Sequence, residues 1–137
     1  MTSTMTLKGP LMTAALTLLA TPALADGTLD PLRADGLLTG NTVYLALPDG
    51  SPAGTGEAPM FYGADGRTSA RLPNGVTLVG EWRFLDDGSY CVDWENGPKN
   101  SCSAVVKSAT GISMTDTASG ISRGTVTRIV PGNPEAL

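Results

Sequence analysis

The sequence contains no histidine, which removes at once the commonest general base, the usual activator of a serine nucleophile and the commonest metal ligand. Ser-His-Asp and Cys-His mechanisms are excluded. Cysteine is nearly as scarce: Cys91 and Cys102 are the only two, and without histidine they make an incomplete ligand set for zinc or copper. Their ten-residue spacing does not form the Cys-X-X-Cys arrangement that lowers a thiol pKa. No phosphate-cradling loop is present, because Gly54-Thr55-Gly56 lacks the glycine, lysine and helix that should follow. None of Asp49, Asp65 or Asp86 begins the alternating acidic loop of an EF-hand. The sequence calls for no cofactor and no metal.

Long apolar runs are also missing. The longest, Leu11 to Ala20, is about half of the ~20 residues needed to cross a bilayer, and Pro22 follows it. Preceded by Lys8 and followed by Ala23-Leu24-Ala25, it reads as a signal peptide over residues 1–25, cleaved before Asp26. Cleavage leaves 112 of the 137 residues, the size of one domain. No cysteine stands at the new N-terminus to carry a lipid, and nothing later is apolar enough to span. The expected location is periplasmic or secreted, with no integral membrane segment after cleavage. Of the 9 basic residues only Lys8 is lost, so the remaining chain sets 8 against 13 acidic residues. Arg67, Arg71, Arg83, Arg123 and Arg128 are dispersed, which argues against nucleic acid or an anionic membrane as partner.

What the sequence has in abundance is turns. Residues 26–40 form a short entry segment in which Leu32, Leu37 and Leu38 suit one helical turn or two. From Asn41 onward, brief runs rich in Val, Ile, Thr and aromatics are separated by Pro48-Asp49-Gly50, Ala64-Asp65-Gly66, Pro73-Asn74-Gly75, Asp86-Asp87-Gly88 and Asn96-Gly97-Pro98. Val76, Leu78, Gly80, Trp82 and Phe84 alternate with Thr77, Glu81 and Arg83, with Val79 as the exception. Val43, Leu45 and Leu47, then Tyr90, Val92 and Trp94, then Ile112 and Met114, repeat the pattern. Residues 41–130 are therefore predicted to be an all-β domain of seven to eight short strands, either a small antiparallel barrel or a barrel-like sandwich. Ser51 to Glu57 has neither period nor bulk and is expected to be a mobile loop, and residues 131–137 a poorly ordered tail.

The two cysteines are expected to pair, because an exported domain oxidises an even set. A two-residue turn at Asn96-Gly97 would require Pro98 to donate a hydrogen bond, and proline has no N–H. A four-residue loop from Glu95 to Pro98, flanked by a Trp94–Lys99 pair, instead sets Cys91 directly opposite Cys102. Counting back makes this a non-hydrogen-bonded pair, where facing Cα atoms come closest.

Leu38-Thr39-Gly40-Asn41-Thr42, Phe61-Tyr62-Gly63-Ala64-Asp65-Gly66, Gly80-Glu81-Trp82 and Tyr90-Cys91-Val92-Asp93-Trp94 with Cys102 together resemble small secreted alphaproteobacterial domains of unknown function. That resemblance spans most of the chain beyond the signal and implies export and a disulfide-containing β fold, with no catalytic residue carried over.

Two functional classes follow. The first is a non-catalytic exported module that binds a small apolar ligand or another envelope protein, in the latter case as a periplasmic inhibitor, through Tyr44, Phe61, Tyr62 or Trp94. Trp82 and Trp94 fit either a ligand cup or the core. The second is a weak hydrolase built on Asp86, Asp87, Asp93 and Glu95, which requires two carboxylates facing across a cleft.

Overall fold

The computed structural model describes residues 29–137; the export signal expected over residues 1–25 lies outside the described residues. The elements run β1 (Asp30–Leu32), α1 (Ala34–Leu38), β2 (Asn41–Ala46), β3 (Glu57–Tyr62), β4 (Arg67–Arg71), β5 (Thr77–Phe84), β6 (Tyr90–Trp94), β7 (Ser101–Ser108), β8 (Gly111–Asp116) and β9 (Ser122–Pro131). Consecutive strands from β2 to β9 pair antiparallel, and β9 returns to β2. The result is a closed eight-stranded barrel, which resolves the choice between barrel and sandwich and leaves no free sheet edge around the wall.

The ninth strand comes from the entry segment. One edge of β7 is shared in tandem: β6 pairs with Ser101 to Ser103, and β1 takes over from Val105 to Lys107. It takes over where the chain before Tyr90 turns away. The amide of Ala34 donates to the carbonyl of Gly88 at 2.8 Å, and Ala34 and Leu38 are fully buried in the core cluster. Helix α1 thus caps one end of the barrel with the apolar face of its single turn.

Strand parity places the core as the alternation requires. Val43 and Leu45, then Tyr62, Ala70 and Trp82, then Val92, Val105 and Met114, all belong to the buried cluster. The ends of the β5 pattern depart from expectation. Val76 and Phe84 are 47% and 42% exposed, Val76 just before β5 begins and Phe84 at its last residue, so both lie at the rims. Gly80 holds its place for steric reasons, since a β-carbon there would stand 2.5 Å from the carbonyl oxygen of Asp93 on β6.

Cys91 and Cys102 form the expected disulfide and face each other in register with a Cα separation of 3.9 Å, the close spacing of a non-hydrogen-bonded pair. The loop that sets this register differs in detail. The Trp94 amide donates to Pro98 at 3.1 Å rather than to Lys99, and the Lys99 ammonium donates to the Trp94 carbonyl. Asn100 explains the difference, since its φ of 54° takes the chain out of the extended conformation just before β7.

Of residues 131–137, expected to be a loose tail, Pro131 ends β9 opposite Asn41 and the rest fold back over the outside of β2. Thr42 donates to the Gly132 carbonyl at 2.6 Å, and Tyr44 donates to Glu135 at 2.7 Å. This contact buries two outward-facing residues that parity alone would leave wet. The loop after β2 is tied as well, with Asn74 N donating to Ala53 O at 3.2 Å and Leu47 N to Gly56 O at 3.0 Å.

Candidate functional site

The barrel end opposite α1 is formed by the last residues of β2, β4, β6 and β8 and the first residues of their partners. One irregularity there decides its chemistry. In the pairing of β8 with β9, Met114 faces Gly124 but Thr115 faces Ser122, so Arg123 is the extra residue of a bulge. A bulge re-aims a side chain, and here it turns Arg123 inward. Its Nη2 donates to Ser101 Oγ at 3.1 Å. Gly124 permits the turn: its φ is 152°, and a β-carbon would stand 2.5 Å from Ala46 O.

Beside Arg123 a cavity of about 60 Å³ is walled by Tyr62, Tyr90, Ser101 and Ser103 together with the apolar Met60, Val92 and Trp94. The Tyr62 and Tyr90 hydroxyls lie 3.1 Å apart, and Tyr90 also donates to the Met114 sulfur at 3.3 Å. Above Arg123 an open cup of about 360 Å³ is lined by Leu45, Leu47, Leu72, Leu78 and Trp94, with Pro52 and Ala53 on its lip. A larger groove of about 510 Å³, also bordered by Arg123, runs outside the rim between Lys99 and Thr117. Polar groups with partners of their own line that groove: Lys99 is held by Trp94 O, and Asp116 by Ala118 N at 3.1 Å and Ser119 Oγ at 3.0 Å. The cup, apolar in its walls and carrying one cation at its floor, is the concave surface suited to a small ligand.

Burial pushes the Tyr62 phenol well above its ordinary pKa and raises that of Tyr90, while the positive charge of Arg123 acts on both in the opposite direction. A raised folded-state pKa keeps its stabilisation below the ordinary value of 10.0, and loses it as the pH rises through the folded value. In a Tyr44→Phe variant these are the two remaining tyrosines. Their phenolate absorbance is expected to appear only together with loss of the circular dichroism signal; ionisation near pH ~10 with the fold intact would contradict an enclosed lumen. At the acid end the Ala118 amide, the Ser119 hydroxyl and then Arg123 hold Asp116 below the usual carboxylate range. Its contribution is present above the ordinary carboxylate pKa and lost as pH falls.

The four residues singled out for ligand contact do not come together. Tyr62 and Trp94 point inward, Tyr62 into the lumen and Trp94 to the cup. Tyr44 and Phe61 are on the outer wall, one residue out of phase with Val43 and Tyr62. Tyr44 is stacked under Arg128, whose guanidinium carbon is 3.8 Å from the ring centre. Three of the four carboxylates are engaged separately, Asp93 with Arg83 at 3.4 Å, Glu95 with Arg67 at 3.5 Å and Asp87 with the Ser89 amide at 2.9 Å, while Asp86 meets Arg33 through its backbone carbonyl at 3.4 Å. Hydrogen bonds from Ser89 lower the Asp87 pKa, the direction opposite to a general acid's need. The facing pair that a hydrolase requires is not assembled from them. Among the described residues, no three Cys, Asp or Glu side chains cluster to hold a metal ion, and no helix is long and apolar enough to cross a membrane.

Comparisons with protein-family models, with curated proteins and with solved structures found no match. Sequence reasoning missed Arg123, counting it among the dispersed arginines, and missed Ser101 and Ser103 as lumen residues. A signal was available for the first, since a glycine inside a strand run, as in Ser122-Arg123-Gly124, marks a bulge or a close backbone approach.

Proposed function

We propose that the chain works as an exported, non-catalytic binding module whose open barrel end holds a small apolar ligand. One observation carries this reading: the apolar cup of about 360 Å³, walled by Leu45, Leu72, Leu78 and Trp94, at the single end of the barrel that α1 does not cap. Its volume lies in the range of small-molecule sites. A disulfide, Cys91–Cys102, is consistent with oxidation outside the cytoplasm. The engagement of Asp87, Asp93 and Glu95 with separate partners favours binding over carboxylate catalysis.

Trp94 supplies the readout. Titration with 1-octanol is expected to give a saturable change in tryptophan fluorescence that disappears in Trp94→Phe, where Trp82 remains. Leu78→Lys places a charge in the apolar wall and should weaken binding by about tenfold or more, since burying an unpaired charge costs well over 1.4 kcal/mol. A response that does not saturate, or that Leu78→Lys leaves unchanged, would sink the proposal.

A further inference from the structure

We propose that the ligand is an amphiphile with an anionic, carboxylate-type head, and that Arg123 receives that head at the floor of the cup. This rests on the reading of the cup as a ligand site and adds the ligand's chemistry. The lumen cavity sets the hydroxyls of Tyr62, Tyr90, Ser101 and Ser103 among apolar side chains, and the cup above it is apolar in its walls. Arg123 borders the apolar cup, the lumen cavity and the groove outside the rim. A ligand entering head first would meet leucine and tryptophan walls along its chain and hydroxyl and guanidinium groups at its tip.

The second observation concerns the guanidinium itself. Its Nε is buried and has no hydrogen-bond partner, the one such side-chain atom among the described residues. Buried donors are nearly always satisfied, and one left open in a concave site calls for an acceptor. The internal acceptors do not reach it. Nη2 takes Ser101 Oγ at 3.1 Å and Cys102 O at 3.5 Å. Asp116 Oδ1 stands 3.5 Å from the same Nη2, with its carboxylate anchoring the β8–β9 turn. A planar carboxylate matches an arginine edge through two parallel N–H donors, which a hydroxyl cannot do. The lumen cavity, about 60 Å³, is on the scale of two waters at their liquid share of ~30 Å³ each, room for a head with two oxygens and not for a bulky one. The Tyr62 and Tyr90 hydroxyls, paired with each other at 3.1 Å, add two oxygens to its wall.

Tail length and charge can be varied independently in the test. Octanoate, 1-octanol and octylammonium share one chain, and each is titrated against the oxidised protein by calorimetry and by Trp94 fluorescence. Octanoate is expected to bind at least tenfold more tightly than 1-octanol, and octylammonium more weakly than either. Arg123→Gln should erase the preference for octanoate over 1-octanol, and Arg123→Lys should restore part of it. Equal binding of octanoate and 1-octanol by the unmodified protein would overturn the carboxylate assignment while leaving the apolar cup standing, a comparison that needs no variant to fold. Absence of saturable binding by all three would overturn the cup reading and this inference with it.

Discussion

Replacing Trp82 with alanine is expected to destabilise the protein by about 3–5 kcal/mol, the range for a buried large aromatic, against a typical domain stability of ~5–15 kcal/mol. Trp82 is 7% exposed and sits at the centre of an edge-to-face cluster, with ring centres 5.2 Å from Tyr62, 4.6 Å from Phe84 and 6.3 Å from Tyr90. It also has a polar duty. Its Nε1 donates to the Gly63 carbonyl at 2.9 Å, a buried bond that ties β5 to the turn after β3. Alanine would leave a cavity and remove this bond, with the Gly63 carbonyl still accepting from the Gly66 amide at 3.1 Å. Trp82→Phe keeps most of the ring volume and loses the donor, so it should cost less, on the order of 1–3 kcal/mol. Urea midpoints of the two variants separate the terms; a loss under ~1 kcal/mol for Trp82→Ala would show that this cluster is not the centre of the core.

The second large effect is expected from the disulfide. Cys91 and Cys102 close a loop with a sequence separation of 11, and a closure of this size restricts the unfolded chain by roughly 2–3 kcal/mol on the chain-entropy account. Cys91 is only 1% exposed, so alanine is the right replacement, since serine would bury a hydroxyl. The Cys91→Ala, Cys102→Ala protein and the reduced parent should show the same lowered urea midpoint. If the variant melts with the oxidised parent, the bridge adds nothing to the fold. The cup should survive in either case at concentrations of denaturant where the barrel is intact, because neither cysteine lines it.

The sequence and the structure agree wherever the signal is local. Turn glycines and period-two alternation announce strands, and the missing N–H of Pro98 is enough to set Cys91 opposite Cys102, although the expected Trp94–Lys99 pair does not form. Features that depend on which strand lies next to which are not written locally. Nothing in Asp30-Pro31-Leu32 says that it will extend the edge of β7 beyond Ser103, and nothing in Asn133-Pro134-Glu135 says that it will cover Tyr44. The aromatic candidates failed as a set for a related reason. On β3 both phases carry bulk, Ala58, Met60 and Tyr62 on one and Pro59 and Phe61 on the other, so composition cannot say which phase faces in. Arg123 is the sharpest case: a single extra residue in the β9 ladder reverses its direction, and with it the chemistry of the open end.

The central claim is that the uncapped end of the barrel is the ligand site, and its most direct measurement is a map of amide chemical-shift changes in the labelled, oxidised protein as octanoate is added. Saturable changes are predicted to centre on Leu45, Leu72, Leu78, Trp94 and Arg123, with the capped end around Ala34 and Leu38 unmoved. Changes centred on Tyr44 and Phe61 of the outer wall, or none at all, would contradict it.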